Sequence, residues 1–344
     1  MTLMDRLLKI QTLKHGSVLS ESELFNDIDV IKTDYPLFNV ALSGSLDGGL
    51  TSGITFLCGP SKHFKSMLGL MLVKSYFEKY PESICMFYDS EFGITKEYLS
   101  SVGIDPNRVI HQPIMNMEEL KFDIMAKLEE INRGEKIIIF IDSIGGLASK
   151  KEVEDALEEK AAADMTRAKQ FKGLWRMLTP ILPLKNIPLI AINHSYKEIS
   201  IFPKDIMSGG TGGMLAANTV FMISKSQEKE GNEIVGWNFS LNIEKSRYVK
   251  EKSKIPFLVT YEGGLNKWSG FLDLCIESGF IIKPSNGWYQ KVDRSTGEVI
   301  GSKIREDATY TKEFMEPILT DPDFKAFIEK KFKVSKLISH DSTV

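Results

Sequence analysis

The sequence predicts an α/β protein with a mixed, mostly parallel central sheet covered by helices, a helical segment before it and a small α+β unit after it. Three observations carry this prediction. Four uniformly apolar stretches, ITFLCG (54–59), ICMFYDSE (84–91), IIIFIDS (137–143) and IPLIAINH (187–194), alternate with helix-length segments. Strands apolar on both faces are those that helices cover on both sides. Further on, TVFMIS, IVGWNFSLNIEKS and KIPFLVTYEGG follow one another with no helix between them, which predicts an antiparallel extension at one edge of the sheet. The first apolar stretch, finally, runs straight into a glycine-containing loop and out into a helix.

Residues 1–30 read as a module of their own. Leu3, Leu7 and Ile10 fall at helical spacing, and His15-Gly16 ends the run. SESELF then opens a second helix, with Ser20 and Glu23 spaced as a capping box. Two helices this short bury little surface alone, so their apolar stripes are expected to pack on the chain's own core or on a neighbouring subunit. The core is expected over 31–270. Its first strand feeds the helix KSMLGLMLVKSYFEKY, and MEELKFDIMAKLEEINRG is the helix between the second and third strands. Before the fourth strand, Leu157, Ala161, Met165, Ala168, Phe171, Trp175 and Leu178 recur every three or four residues, a stripe that reads as core packing. A small domain is expected over 271–344, with FLDLCIESGFIIK helical and NGWYQKVD…GEVIGSK a hairpin.

The composition, 42% hydrophobic and 26% charged, is that of a soluble globular protein. No apolar run approaches the roughly 18 residues that span a membrane. The opening MTLMDRLLKIQTLKHG alternates charges with leucines and lacks the apolar core of a secretion signal. Cys58, Cys85 and Cys275 read as buried, reduced thiols of a cytoplasmic protein. A net charge of −3 gives no bulk attraction for nucleic acid, so such a partner would be held by local basic groups.

The chemistry begins at CGPSKHFKS (58–66). Gly59, Pro60, Ser61, Lys62, His63, Phe64, Lys65 and Ser66 form a loop between strand and helix. In that setting its amides cradle a triphosphate, Lys65 reaches the outer phosphates and the Ser66 hydroxyl ligates magnesium. Phe64 stands where such loops usually carry glycine; its backbone is expected in a region open to a side chain, with the ring turned away from the phosphates. Asp142, closing the third strand, suits the carboxylate that holds magnesium through an ordered water; alternatively it caps the next turn. FYDSEFG ends the second strand with Asp89 and Glu91. A carboxylate there polarises an attacking water, or else caps a helix; Glu91 is favoured as the base because its strand lies beside the triphosphate. The implied cofactors are ATP and Mg2+.

GPSKHFKS, FYDSEFGI, IFIDSIGGLASKKE, IAINHS, GGTGGMLAANTVFMI and IEKSR occur in the order and spacing of the RecA family of recombinases. The chain resembles that family over essentially its whole length, and resembles in detail its UvsX-type branch from T-even-type phages, in which the F-K-S loop ending is expected. The resemblance implies a RecA-type P-loop ATPase core, with residues 1–30 as an oligomerisation segment. It implies that Lys65 is the phosphate-binding lysine, Ser66 and Asp142 the magnesium residues and Glu91 the catalytic glutamate. Tyr98, otherwise a helix core residue, falls where the family stacks a tyrosine on adenine. His194 takes the polar sensor position, where glutamine is usual in bacteria. Lys245 and Arg247 match a pair that reaches across the filament interface to the neighbour's triphosphate; one residue apart on a strand, they are expected on one face. Without the resemblance they read as a solvated basic edge.

Two loops resemble the family's DNA-binding segments. The first begins near ASKKEVEDALEEK, whose acids outnumber its bases. The second is SYKEISIFPKDIMSGGTGG, expected to be flexible, with Lys197 and Lys204, with Gly212 and Gly213 amides that approach phosphate, and with Ile201 and Phe202 as wedges between bases. Arg167 matches an arginine that contacts the DNA backbone. The implied activity is DNA-dependent ATP hydrolysis coupled to homologous pairing and strand exchange, in recombination, repair and recombination-dependent replication. The implied partners are single-stranded DNA, homologous double-stranded DNA, further copies in a helical filament, a recombination mediator and a single-stranded-DNA-binding protein. No membrane is involved; a phage-encoded protein would work in the host cytoplasm. Two other readings stay open: a hexameric helicase on the same core, and a regulatory ATPase that binds only proteins, which would not need the glycine-rich second loop. Lys65→Ala is expected to abolish ATP turnover; near-normal hydrolysis by that variant, followed as phosphate release, removes the site assignment.

Overall fold

The computed structural model describes residues 1–13, 15–22, 24, 29–158, 166–199 and 203–334. Ten strands build one sheet: β1 (Gly53–Gly59), β2 (Ile84–Asp89), β3 (Val109–Pro113), β4 (Ile137–Asp142), β5 (Pro188–Lys197), β6 (Asp205–Met207), β7 (Thr219–Glu230), β8 (Glu233–Ser246), β9 (Lys254–Thr260) and β10 (Gly264–Leu265). Their order is β10-β9-β8-β7-β1-β5-β4-β2-β3, with β6 paired to β5 off that path. From β7 to β3 every pairing is parallel, and β7–β8, β8–β9 and β9–β10 are antiparallel. The mixed, mostly parallel sheet and its antiparallel edge are as the apolar pattern predicts.

The two faces of the sheet bury separate clusters. Leu57, Leu72, Phe140, Ile192 and Phe221 lie in one; Phe56, Tyr88, Ile139, Phe171 and Trp175 lie in the other. β1 shows the alternation directly, since Leu57 faces the first cluster while Phe56 and Cys58 face the second. Cys58, Cys85 and Cys275 are buried and free, and burial pushes all three thiols up.

Several elements depart from expectation. β3, VIHQP, is a strand the pattern does not reveal, because as an edge strand it buries little and carries polar residues. The 271–283 stretch is not one helix. Its helix covers Leu272–Glu277, the chain turns at Gly279 (φ 79°), and β11 (Ile281–Ser285) joins β12 (Trp288–Val292) and β13 (Val299–Arg305) in a second sheet of three strands. The expected hairpin is β12–β13. Three helices follow among the described residues: Glu306–Thr309, then Lys312–Thr320 and Pro322–Phe332, the last two capped by Thr311 and Asp321. The long apolar stripe holds only from Phe171 onward, through Leu174, Trp175, Leu178 and Leu182 in the Thr166–Lys185 helix. Leu157 is 81% exposed at the end of a separate helix, Lys150–Leu157, and Ala168 is exposed; Ala161 and Met165 lie outside the described residues.

At the N-terminus, the Leu3–Lys9 helix is capped by Thr2 and Asp5 and buries none of its residues: Leu3, Leu7 and Ile10 are 62%, 56% and 73% exposed. The second helix begins as a short 3-10 turn, Leu19–Glu21; Glu23 of the expected capping box lies outside the described residues. Among the described residues no helix is long and apolar enough to cross a membrane.

The C-terminal segment shares its core with the large sheet, since Phe271, Phe324, Ile328 and Phe332 belong to the same cluster as Leu57 and Phe221. Val249 bridges to Lys333 just beyond the last helix. Phe324, fully buried among Phe271, Phe280 and Phe327, is the hub. Phe324→Ala is expected to destabilise the protein by about 3–5 kcal/mol. In denaturant titrations the variant and the parent should each unfold in one transition; two separated transitions would show that the C-terminal segment folds independently.

Candidate nucleotide site

Strand register assembles the site. β2 and β4 pair Asp89 with Asp142, while β1 and β5 pair Gly59 with His194, so four strand ends meet at one rim of the sheet. There the loop turns back and the Lys65–Lys79 helix begins without a side-chain cap, leaving its first amides unclaimed by any capping group. Lys65 is buried, and its ammonium donates to the Pro60 carbonyl at 2.7 Å. Burial draws its pKa down against the opposing pull of Glu91 and Asp142. The loop is tethered from outside: Lys225 of β7 donates to the Lys62 carbonyl at 2.9 Å while lying 4.1 Å over the Trp237 ring. His63 Nδ1 lies 2.9 Å from the Ser61 carbonyl.

Phe64 corrects one expectation. Its backbone is left-handed (φ 61°, ψ 14°), a region side chains rarely occupy, so the loop keeps the turn that glycine would supply. The conformation costs about 1–2 kcal/mol. The ring does turn away as expected: it sits 5.5 Å from Phe239 and 6.3 Å from Phe257. Aromatic pairs of this kind contribute about 0.5–1.5 kcal/mol each beyond their burial. That is enough to offset the strain.

Glu91 faces the same rim. Its Oε1 accepts from Ser143 Oγ at 2.6 Å and lies 3.0 Å from His194 Nε2. Burial pushes the carboxyl up, but these two hydrogen bonds and the His194 and Lys65 charges outweigh it, and its pKa falls below the usual carboxylate value. Tyr98, half-buried in the Lys96–Ser101 helix and packed against the core cluster, has its phenol pKa raised by burial and by the Asp142 charge. Among the described residues no aromatic ring stacks on it.

The other predicted residues are more dispersed. Lys245 donates to the Met214 and Leu215 carbonyls, both at 2.8 Å, at the C-terminal end of the Thr211–Ala216 helix. β8 ends at Ser246, so Arg247 lies past the strand and the shared-face expectation does not apply to it. Among the described residues the Arg247 guanidinium has no hydrogen-bond or ion-pair partner. Both cations are far from the chain's own phosphate loop. Lys245 pairs with Val220 and Val220 with Phe56, in the middle of β1, whereas the loop follows Gly59 at its end. Three residues of strand and two strand spacings separate Lys245 from Gly59 by about 14 Å.

The second loop is less open than expected. β5 continues to Lys197 and pairs with β6 through Ser195–Met207, Tyr196–Ile206 and Lys197–Asp205, a hairpin rather than a flexible base. Lys197 is ion-paired to Asp205 at 2.8 Å, and Lys204 is exposed at the hairpin's end. Ile201 and Phe202 lie outside the described residues. Gly212 and Gly213 fall in the first turn of the Thr211–Ala216 helix, whose amides have no intrahelical acceptor. A side chain at Gly213 would strike Met207 at 2.8 Å. Gly209 needs its left-handed φ of 90° to pass under the Phe171 ring. Arg167 is anchored within the chain: its Nε donates to the Leu147 carbonyl at 2.7 Å and its Nη2 to the Gly145 carbonyl at 2.6 Å, two of the five donors of the guanidinium. The acidic first segment is a capped helix, Lys150–Leu157, with no buried residue.

Residues 5–266 match the RecA N-terminal domain, and residues 268–328 match the C-terminal domain of the bacteriophage T4 recombination and repair protein. The chain is 48% identical over 343 residues to the recombination and repair protein of Enterobacteria phage T4, covering 98% of this chain and 88% of that one. The chain belongs to the RecA family. It is also 25% identical to the RecA proteins of Syntrophus aciditrophicus, over 92% of this chain and 88% of that one, and of Acidothermus cellulolyticus, over 89% and 84%.

In this RecA-family site, a magnesium ion fits the residues present. Asp142 Oδ1 is buried with no hydrogen-bond partner, and the Ser66 hydroxyl lies against the same carboxyl. These two would hold the ion beside the phosphates, where it would neutralise phosphate charge. Ser143 is a residue the sequence reading passes over. It directly follows Asp142, and a hydroxyl at a strand end beside an acid is its only local signal. Lys225 carries no local signal at all, because its role depends on β7 lying next to the loop.

Burial pushes the Asp142 carboxyl up to about 6, helped by the Glu91 and Asp89 charges and opposed by Ser66 and Lys65. The folded protein therefore binds more protons than the unfolded chain between about pH 4 and pH 6. Ionised Asp142 thus costs stability, on the order of 3 kcal/mol once pH has risen through that window. Asp142→Asn removes this cost. Without nucleotide, the variant should melt above the parent at pH 7, with the difference shrinking toward pH 4, while magnesium-dependent ATP hydrolysis is lost. A melting difference independent of pH would contradict the assigned cause.

Proposed function

We propose that the chain is an ATP-dependent DNA recombinase that assembles head to tail on single-stranded DNA, pairs it with homologous duplex and exchanges strands. Lys65 and the loop amides hold the triphosphate, and Glu91 orients and deprotonates the attacking water. Bound magnesium would supply charge neutralisation at the outer phosphates. His194, 3.0 Å from Glu91, is suited to sense the outermost phosphate and pass its presence to the base. Tyr98 would stack on adenine.

One observation carries the assembly. Lys245 and Arg247 sit away from the strand end that carries their own phosphate loop. They serve a triphosphate only if it belongs to another subunit, where they stabilise charge developing in transfer. The exposed apolar face of residues 3–10, read as the oligomerisation segment, supports the same arrangement. Lys197, Lys204 and the Gly212–Gly213 amides are suited to the DNA backbone, and the segment from 271 onward forms the small C-terminal domain. A mediator and a single-stranded-DNA-binding protein complete the set of partners, in the cytoplasm of a phage host.

Arg247→Ala should leave ATP binding intact and lower DNA-stimulated hydrolysis by about a thousandfold, the scale set by arginines that complete a neighbour's site. Mixing it with Lys65→Ala should restore hydrolysis, since one variant supplies an intact loop and the other an intact arginine. No recovery on mixing removes the action between subunits. Unwinding of duplex without a homologous strand would favour a helicase, and turnover indifferent to DNA a protein-only regulator.

A further inference from the structure

The carboxylate of Asp89 is the most buried acid at the rim, 2% exposed, and the mechanism above leaves it without a task. Its bonds all point to one place. Oδ1 accepts the backbone N–H of Glu91 at 3.0 Å and that of Phe92 at 2.7 Å. Phe92 is left-handed (φ 55°) with an exposed ring, so that conformation gains nothing from side-chain packing of the kind Phe64 enjoys. The grip of Asp89 is what holds the turn. Oδ2, on the other side of the carboxyl, lies 3.1 Å from His111 Nε2. With the proton on Nε2, His111 donates to it and fixes the carboxyl so that Oδ1 faces the turn. His111 stands on the edge strand β3, its ring 5.4 Å from Phe87. A second clasp holds the intervening residue: Ser90 donates to the Ser143 carbonyl at 2.7 Å and accepts from the Ser143 N–H at 3.1 Å.

We propose that Asp89, oriented by His111, is a positioning residue for ATP hydrolysis: it holds the Glu91 backbone where the carboxylate meets the attacking water. This rests on Glu91 being the base. The role is that of a hydrogen-bond acceptor and not of a charge or a proton carrier. An amide at position 89 keeps an oxygen for the two N–H groups and turns its nitrogen to His111, which accepts in its other tautomer.

The test uses the full-length protein with single-stranded DNA, measuring kcat for hydrolysis and, separately, the affinity for a fluorescent ATP analogue. Misplacing a catalytic group by about 1 Å costs up to about a hundredfold. Asp89→Ala should therefore lower kcat by about ten- to a hundredfold with analogue affinity within about twofold. Asp89→Asn should recover most of the loss. His111→Ala should lower kcat less, by a fewfold, and His111→Gln, which can still donate, should restore it. Should Asp89→Ala fail to fold, the two His111 variants carry the same contrast.

Adding Asp89→Ala to Glu91→Gln should cause no further loss, because both changes act through one carboxylate. An Asn variant as inactive as the Ala variant would overturn the proposal, since charge would then matter. So would equal loss of affinity and kcat in Asp89→Ala, or additive losses in the double variant. Glu91→Gln alone decides the underlying assignment: if it hydrolyses ATP normally, Glu91 is not the base, whatever Asp89 does.

Discussion

Parallel register of the buried strands governs this molecule. Apolar residues along β1, β2, β4 and β5 can be buried on both faces only when helices cover the sheet and the strands align. Alignment brings the strand ends, where apolar character stops, to one rim. Asp89, Asp142, Gly59 and His194 are neighbours because the residues before them pack, not because they attract one another. Asp142 is buried there, with the Glu91 and Asp89 charges close by, and it holds its proton more tightly than an exposed carboxyl does. The electrostatic cost is borne by the hydrophobic sheet beneath it.

Around that rim the chain uses aromatic packing and long-range tethers where glycine or a local cap would be simpler. Phe64 carries the left-handed turn on the strength of Phe239 and Phe257, which stack on each other at 5.2 Å. The Lys62 carbonyl is held by a lysine 163 positions away. A loop secured this way depends on the antiparallel edge of the sheet, so the edge supports the nucleotide site from outside it.

Much of this is legible in the sequence, for a physical reason. Burial on both faces writes itself as unbroken apolar runs, and the residues that end those runs are the rim. Glu91 and Asp142 are singled out that way, Lys65 and Ser66 by the loop pattern that follows the first run, and His194 only by the family resemblance. β3 escapes because an edge strand is half solvated and VIHQP has the composition of a loop. The left-handed Phe64 escapes because sterics alone argue against it and only distant rings permit it. The fate of Arg167 is hidden for a similar reason: its acceptors are two carbonyls about twenty positions earlier. Leu157 misleads in the opposite direction, since helical spacing cannot distinguish a covered stripe from one left in solvent.

The β7–β8 ribbon joins the two ends of this design. The middle of β7 grips the chain's own phosphate loop through Lys225; near its start, Val220 is paired to Lys245, close to the arginine that has no side-chain partner among the described residues. In the head-to-tail assembly proposed above, each ribbon is a stiff lever about 17 Å long between two nucleotides. In that assembly a shift of the loop at one fuel site would tilt the cations at the next, and the nucleotide gripped by those cations would pull back on the loop by the same amount.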